Sequence, residues 1–269
     1  MSDKFKFIQD RLSGKWVILA PQRASRPDDS TKEQVCPFCP GNEDLTPPEI
    51  LRTPAGSEKD KWQIRVVPNK FPFAPIHEVI IHSPNHSASF FTYSKEYVAE
   101  IFQIYKNRFN ALKDKGQVFI FHNQGPQAGE SLSHSHTQIP VVPPEIVLEV
   151  PAIANQDHIV SQTLYFTCFI AEASSWPNEV WFLPKRRGAD FGQITAEELS
   201  DFSLLFTKLL AKLEKSSGEE FSFNFYISPK ADWYLRLIPR EKILGGFELG
   251  TGVYVNTKDP SVAAKELAF

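Results

Sequence analysis

One pattern of elements occurs twice along the chain, and this repeat restricts the fold more than any other feature of the sequence. Residues 77–84 read His-Glu-Val-Ile-Ile-His-Ser-Pro, and residues 178–184 read Asn-Glu-Val-Trp-Phe-Leu-Pro. Apolar runs of this length that end at a turn residue are typical of strands. In both copies a helix, an alternating strand and a last strand-like run follow in the same order, which favours an α+β unit duplicated in tandem.

The predicted helices cover residues 94–113 and 195–215, where apolar side chains recur at helical spacing. Thr195 and Glu198 form a capping box at the start of the second helix. The predicted strands that follow the helices are at residues 117–122 and 134–140 in the first copy, and at residues 221–227 and 232–239 in the second.

The spacing within the two copies is also similar. Glu78 and His134 are 56 positions apart, and Glu179 and Asp232 are 53 positions apart. We therefore expect antiparallel sheets with packed helices, arranged as two halves at residues 1–150 and 151–269.

The copies differ at three alternating positions of their last strand. The first has His134, His136 and Gln138, and the second has Asp232, Tyr234 and Arg236. Residues two apart in a strand point to the same face, so the two histidines and the glutamine are predicted to project together. Histidine chemistry is therefore expected in the first half.

A polar, glycine-containing loop at residues 123–131 precedes this strand and offers main-chain amides for phosphate oxygens. Neutral imidazole has a lone pair without a separate base, which suits His136 as a nucleophile on phosphorus. Gln138 can hold a non-bridging oxygen without adding an ionisable group. The alternative is that the histidines are structural or only bind a metal.

Cys36 and Cys39 have the spacing of half a zinc site, enclosed by prolines and a glycine. The remaining ligands must come from distant histidines, because no second such pair exists; the candidates are His77, His82, His86, His122 and His134. Redox chemistry and an inert thiol pair are the alternatives. Cys168, in an apolar run, is expected to be a buried strand residue.

Bulk properties exclude other classes of function. The net charge is −3 and the pI is near 6.2, so nothing in the overall charge favours nucleic acid or an anionic membrane as a partner. No apolar run is long enough to span a bilayer, and the first residues lack the apolar core of a signal peptide. A cytoplasmic location is the expectation.

Several motifs in order resemble the galactose-1-phosphate uridylyltransferase family of the histidine-triad superfamily, which includes ADP-glucose phosphorylase-like members. The resemblance runs nearly from end to end. The motifs lie at residues 13–21, 23–27, 36–43, 67–71, 77–79, 123–138 and 246–252. The family fold implies two histidine-triad-like halves in one chain, in agreement with the repeat.

The resemblance also implies roles for individual residues. His136 would be the nucleotidylated nucleophile and Gln138 its phosphate-holding partner. A structural zinc would be bound by Cys36, Cys39, His86 and His134. Substrate contacts would come from Arg23, Arg26, Asn69, Asn123, Ser131, Lys242 and Glu248. Nucleotide sugars and sugar 1-phosphates would be the substrates, and a homodimer the assembly.

The chain departs from the family pattern at two places. Uridylyltransferases usually have proline between the two histidines, and Ser135 is more similar to the phosphorylase-type members. The His-Trp-His run of some members is replaced by Asp232-Trp233-Tyr234, so no second metal is expected.

The predicted function is that of a UDP-glucose:hexose-1-phosphate (galactose-1-phosphate) uridylyltransferase, an enzyme of galactose metabolism. The alternative uses the same nucleophile on ADP-glucose or a dinucleoside polyphosphate, with phosphate as acceptor. A non-catalytic, zinc-stabilised nucleotide-binding protein is the alternative from a different class.

Overall fold

A computed structural model of the chain describes residues 5–25, 35–217 and 221–269. In chain order the strands are β1 (Lys6–Gln9), β2 (Trp16–Leu19), β3 (Leu51–Thr53), β4 (Ile64–Pro68), β5 (Ile76–Ile81), β6 (Gln117–Val118), β7 (Ile120–Gln124), β8 (His136–Val142), β9 (His158–Gln162), β10 (Phe166–Ile170), β11 (Val180–Pro184), β12 (Phe223–Ile227) and β13 (Leu235–Pro239). The α-helices are α1 (Lys95–Leu112), α2 (Ala196–Ser217), α3 (Gly246–Thr251) and α4 (Pro260–Leu267). Helices combined with antiparallel strand pairs confirm the α+β prediction.

By their contacts, the described residues divide into two compact units. Unit 1 contains the described residues within 1–89, 108–120 and 131–150, and unit 2 contains those within 90–107, 121–130 and 151–269. Both units therefore take residues from the first predicted half. The division into halves at residues 1–150 and 151–269 stays a prediction.

Unit 1 contains the antiparallel order β3-β4-β5-β8, with β6 also paired to β8, and a separate hairpin of β1 and β2. The β5–β8 register places Val79 opposite Gln138 and Ile81 opposite His136. One buried cluster of unit 1 contains Phe38, Trp62 and Val67 together with Val79 and Ile81. Phe38 of this cluster contacts the rings of both histidines of the predicted site.

Unit 2 contains the order β7-β12-β13-β11-β10-β9. Its core is rich in phenylalanine: Phe102 lies 4.7 Å from Phe202 and 5.9 Å from Phe225, and Phe90 lies 5.3 Å from Phe206, between ring centroids. Cys168 is fully buried in β10, as its apolar surroundings in the sequence predict.

The two long helices lie within two residues of their predicted bounds. Thr195 and Glu198 form the predicted capping box: the Glu198 amide donates to Thr195 Oγ1 at 3.2 Å, and the Thr195 amide donates to Glu198 Oε2 at 2.8 Å. No helix within the described ranges is both long and apolar enough to cross a membrane.

The strand pairing repeats in the two copies, as the sequence predicts. The residues that correspond in this pairing differ by one position from those aligned by the Glu-Val match. Val79 is opposite Gln138 in the first copy, and Trp181 is opposite Arg236 in the second. His77 and Glu179, each two residues before those positions, therefore correspond to one another. Glu78 instead binds Arg108 through two hydrogen bonds, at 2.6 and 2.8 Å.

Candidate active site

Four side chains of unit 1 form the predicted metal-ligand cluster. The nearest ligand atoms of Cys36, Cys39, His86 and His134 all lie within 4.8 Å of one another. The Cys39 sulfur lies 3.3 Å from His86 Nδ1 and 3.6 Å from His134 Nδ1, and the Cys36 sulfur is also 3.6 Å from His134 Nδ1.

These separations fit zinc. With Zn–S near 2.3 Å and Zn–N near 2.0–2.1 Å in a tetrahedron, a sulfur and a nitrogen ligand lie about 3.5 Å apart. The ring orientation also fits, because His134 Nε2 donates to the Ser83 carbonyl at 2.7 Å and leaves Nδ1 as the ligand atom. His77, His82 and His122, which the sequence left as candidate ligands, lie outside the cluster.

The surroundings of the cluster favour neutral groups. Burial lowers the pKa of His134 to about 4, which keeps its imidazole neutral. Burial likewise raises the pKa of Cys36 to about 12, so a cation is needed to make this thiol ionise near neutral pH.

The cysteine loop is held in place by Glu43. Its carboxylate accepts from the Gly41 amide at 3.1 Å and from Trp62 Nε1 at 3.0 Å. Asn42 adds a hydrogen bond from its side-chain amide to the Cys36 carbonyl at 2.9 Å. Gly41 has φ +87°, a conformation that favours glycine.

His136, at the start of β8, is oriented by the backbone of His134. Its Nδ1 donates to the backbone carbonyl of His134 at 2.9 Å. Nε2 is therefore the ring atom with the lone pair. The ring of Phe38 lies edge-on to both imidazoles, with centroids 5.2 Å from His136 and 6.0 Å from His134.

His136 lines a cavity of about 230 Å³ within unit 1. Its apolar walls include Phe38, Leu45, Val67, Phe71, Val79 and Leu132. The polar groups at the cavity include Asn69, Ser131, His136 and Gln138. An apolar cavity with a few converging polar groups is the usual form of a small-molecule site.

Gln138 belongs to a hydrogen-bonded group of three side chains. Its Oε1 lies 3.1 Å from His77 Nε2 and 3.4 Å from Asn69 Nδ2. The two donors come from different segments, His77 from β5 and Asn69 from the loop after β4. Residue spacing makes His77 a candidate metal ligand and gives no sign of its contact with Gln138.

The chain is similar to several known proteins in sequence and in fold. The family "Domain of unknown function (DUF4931) N-terminal domain" matches residues 23–142. An ADP-glucose phosphorylase from Arabidopsis thaliana is 28% identical and covers 96% of this chain and 90% of its own length. A galactose-1-phosphate uridylyltransferase from Thermotoga maritima is 23% identical over 95% of both chains. The crystal structure of an Arabidopsis ADP-glucose phosphorylase with bound ADP-glucose aligns with TM-score 0.76 and 25% identity over 98% of each chain.

The chain is similar over nearly its whole length to ADP-glucose phosphorylase and to galactose-1-phosphate uridylyltransferase. The resemblance found in the sequence motifs is thereby confirmed.

The second copy of the repeat has no histidine at the positions of His134 and His136. Tyr234 occupies the position of His136, and Arg236 that of Gln138. Arg236 donates twice to Glu179, at 2.7 Å each, and once to the Tyr226 hydroxyl at 3.2 Å. These contacts make Arg236 part of a buried ion pair and not a free phosphate ligand.

Two predicted arginines belong to the segment before the cysteines. Arg23 donates to the Phe71 carbonyl at 2.5 Å, and its guanidinium lies 5.1 Å from the centre of the Phe73 ring. It is thus attached to the same loop as Asn69, within unit 1. Arg26 lies outside the described residues.

The other predicted substrate contacts are divided between the units. Ser131 lines the cavity of unit 1. Asn123 lies in unit 2, where its Oδ1 accepts from Asn224 Nδ2 at 2.8 Å. Lys242 and Glu248, also in unit 2, bind one another at 2.5 Å. Their assignment to phosphate and sugar recognition stays a prediction.

Proposed function

We propose that this chain is an ADP-glucose phosphorylase that acts through a covalent nucleotidyl-histidine. In the first step, Nε2 of His136 attacks the α-phosphorus, the bond to the bridging oxygen breaks, and glucose 1-phosphate leaves. In the second step, an oxygen of inorganic phosphate attacks the same phosphorus. ADP is released and His136 regains its lone pair.

One observation is the main support for this chemistry: His136 donates from Nδ1 to a backbone carbonyl at the edge of an apolar cavity. The hydrogen bond fixes the ring and leaves Nε2 as the nucleophilic atom. A flat base fits the apolar walls, and Gln138 stands at the same cavity to donate to a phosphate oxygen as charge develops.

The choice of ADP-glucose revises the expectation from sequence motifs, which favoured UDP-glucose and a hexose 1-phosphate acceptor. The Arabidopsis ADP-glucose phosphorylase is 28% identical over nearly the whole chain, against 23% for the Thermotoga uridylyltransferase. Ser135 between the two histidines agrees with this choice. Uridylyl transfer remains the second candidate, because its relatives also match most of the chain.

We also propose zinc as the metal of the cluster of Cys36, Cys39, His86 and His134. Zinc would give structural support, holding the cysteine loop against the strand that bears His136. His136 Nδ1 donates to the carbonyl of His134, so a fixed His134 also keeps the nucleophile in its orientation. The homodimer and the cytoplasmic location stay predictions; light scattering tests the first.

The direct test is mass spectrometry of the intact protein after brief incubation with ADP-glucose and, separately, with UDP-glucose. We expect an adenylyl adduct at His136 from ADP-glucose, and its loss with release of ADP on addition of phosphate. The His136→Gly variant should form no adduct and still bind the nucleotide.

The other outcomes are distinct. A uridylyl adduct at His136, discharged by galactose 1-phosphate, would establish the second candidate. Labelling at a different residue would contradict the assigned nucleophile. Nucleotide binding without any adduct, by both the native protein and His136→Gly, would indicate a binding protein instead.

A further inference from the structure

Two backbone amides of the loop at residues 69–73 determine which atoms of the neighbouring side chains donate. The Phe71 amide donates to Asn69 Oδ1 at 2.8 Å, so the Asn69 nitrogen must be a donor to other groups. The Phe73 amide donates to His77 Nδ1 at 3.4 Å. Nδ1 is thus the acceptor of the His77 ring, and Nε2 bears the hydrogen.

Both donors meet at the same oxygen. His77 Nε2 and Asn69 Nδ2 lie 3.1 and 3.4 Å from Gln138 Oε1, and 3.2 Å from each other. Because His77 Nδ1 accepts from the Phe73 amide, the contact between these two nitrogens joins two donors that share one acceptor. A carbonyl oxygen has two lone pairs, so this arrangement uses its full acceptor capacity. The Gln138 amide nitrogen has no hydrogen-bond partner in the part of the chain that the structure describes, and the side chain lines the cavity beside His136.

The orientation of this amide matters for reaction at phosphorus. With Oε1 held by His77, the NH₂ group is the end that can meet a phosphate oxygen. If the amide turned over, its carbonyl oxygen would face the phosphate, and the interaction would be repulsive. A donor already in place has no reorganisation to undergo as the negative charge shifts onto the non-bridging oxygens.

The second copy of the repeat provides an internal comparison. Glu179 occupies the position of His77 and likewise contacts the residue diagonal to it on the partner strand, Arg236. The carboxylate there accepts from a guanidinium, whereas His77 donates to an amide oxygen. In both copies the residue at this position forms a hydrogen bond with the polar group of its diagonal neighbour.

We infer that His77 is a positioning residue, which holds the Gln138 amide with its nitrogen towards the transferred phosphoryl group. The inference rests on the proposed function. His77 is buried, with 4% of its surface exposed, and acts on the reaction through Gln138. Its ring also packs against Phe73, at 4.4 Å between centroids. The experiment must therefore separate a positioning role from a role in packing alone.

A double-mutant cycle separates these roles. His77→Phe keeps a ring against Phe73 and removes the Nε2–H donor. The measured quantity is the single-turnover rate of His136 labelling by ADP-glucose, or by UDP-glucose if that is the donor that labels the native chain. We expect Gln138→Ala to slow labelling by about 100-fold and His77→Phe by about tenfold.

The labelling rate of the double variant tests the inference. If His77 acts through Gln138, His77→Phe should have no effect on the rate in the Gln138→Ala background. His77→Gln should recover most of the rate, because its amide donor can replace Nε2–H. Thermal unfolding of each variant establishes that the chain is folded.

His82→Phe is the matched control. His82 is a buried histidine whose ring nitrogens lie 2.9 Å from Ser135 Oγ and 3.0 Å from Thr137 Oγ1, on the opposite face of the same strand. The factor by which His82→Phe changes the rate should be the same in the native and Gln138→Ala backgrounds.

Suppose that the native chain forms the adduct and that the rate effects of His77→Phe and Gln138→Ala multiply in the double variant. This result would overturn the inference and leave the proposed function intact. Absence of an adduct in the native chain would overturn both.

Discussion

Two glycines of the loop at residues 123–131 face different surroundings. Gly125 has φ +83°, and a Cβ built on it would lie 2.4 Å from Ser222 Oγ and 3.1 Å from Ser222 Cα. Gly129 has φ +75°, and a Cβ there would meet no described atom within 4 Å. The Gln127 amide also donates to Ser222 Oγ at 3.3 Å. Ser222 therefore packs closely against the start of this loop.

At the residue scale, Gly125→Ala should be more destabilising than Gly129→Ala. Both changes place an L side chain at positive φ, which costs about 1–2 kcal/mol. Gly125→Ala also forces Ser222 to move, with overpacking of about 1–3 kcal/mol. Urea unfolding of the two variants measures the difference, and equal midpoints would contradict the tight contact with Ser222.

At the element scale, the start of α2 combines a capping box with an ion pair. The Glu198 carboxylate accepts from Thr195 and also from Arg186, at 2.7 and 2.8 Å. The hydrogen bond from Arg186 is the largest cause that lowers the pKa of Glu198. One side chain thus connects the first turn of the helix to the segment after β11.

Removal of the cap should weaken the helix start. Thr195→Ala leaves the Glu198 amide without its side-chain acceptor and should lower the free energy of unfolding by about 1 kcal/mol. Urea unfolding of the variant at pH 7 checks this value. A change within the error of the measurement would show that solvent replaces the threonine hydroxyl.

The contribution of Glu198 should depend on pH. Its pKa is lower in the folded chain than in the unfolded chain, so its stabilisation is fully present above the unfolded pKa, near 4.3, and disappears as the pH falls through the folded pKa. The stability difference between native chain and Glu198→Gln should therefore be larger at pH 7 than at pH 3. Glu214→Gln, on the same helix, is the control, because Glu214 has no ion pair among the described residues. A difference that does not change with pH would contradict the assignment.

At the scale of the whole molecule, the metal-ligand cluster and the cavity belong to unit 1, whereas β9 to β13 belong to unit 2. The Phe38 ring, next to both histidines of the site, also belongs to the buried cluster of unit 1. Loss of the proposed zinc should therefore disturb the support of the cavity more than the sheet of unit 2.

Hydrogen exchange after treatment with a chelator measures this difference. We expect faster exchange at residues 36–45 and 131–142, and little change at residues 158–184 and 223–239. Cys39→Ser should give the same pattern, whereas Cys168→Ala, at a buried thiol of β10, should keep the bound metal. Immediate loss of turnover with an unchanged exchange pattern would contradict a structural role for the metal.

The sequence by itself determined what depends on neighbours along the chain. Helical spacing located α1 and α2, and the Thr195–Glu198 pair located a helix start. Alternation placed Ser135 and Thr137 on the face opposite His136 and Gln138, where both hydroxyls contact His82. These features follow from backbone periods of 3.6 and 2 residues, which a local pattern expresses directly.

Only the tertiary structure decided which distant residues meet. Residue spacing left five histidines as metal ligands, and the fold brings His86 and His134 to the cysteines across 47 and 98 positions. The period of two identifies the faces of a strand but does not fix its register with the next strand. The Glu-Val match between the two copies is therefore one residue away from the match that the strand pairing gives. Correct pairing of β5 with β8 then places His77 beside Gln138, because a cross-strand contact depends on register and not on sequence spacing.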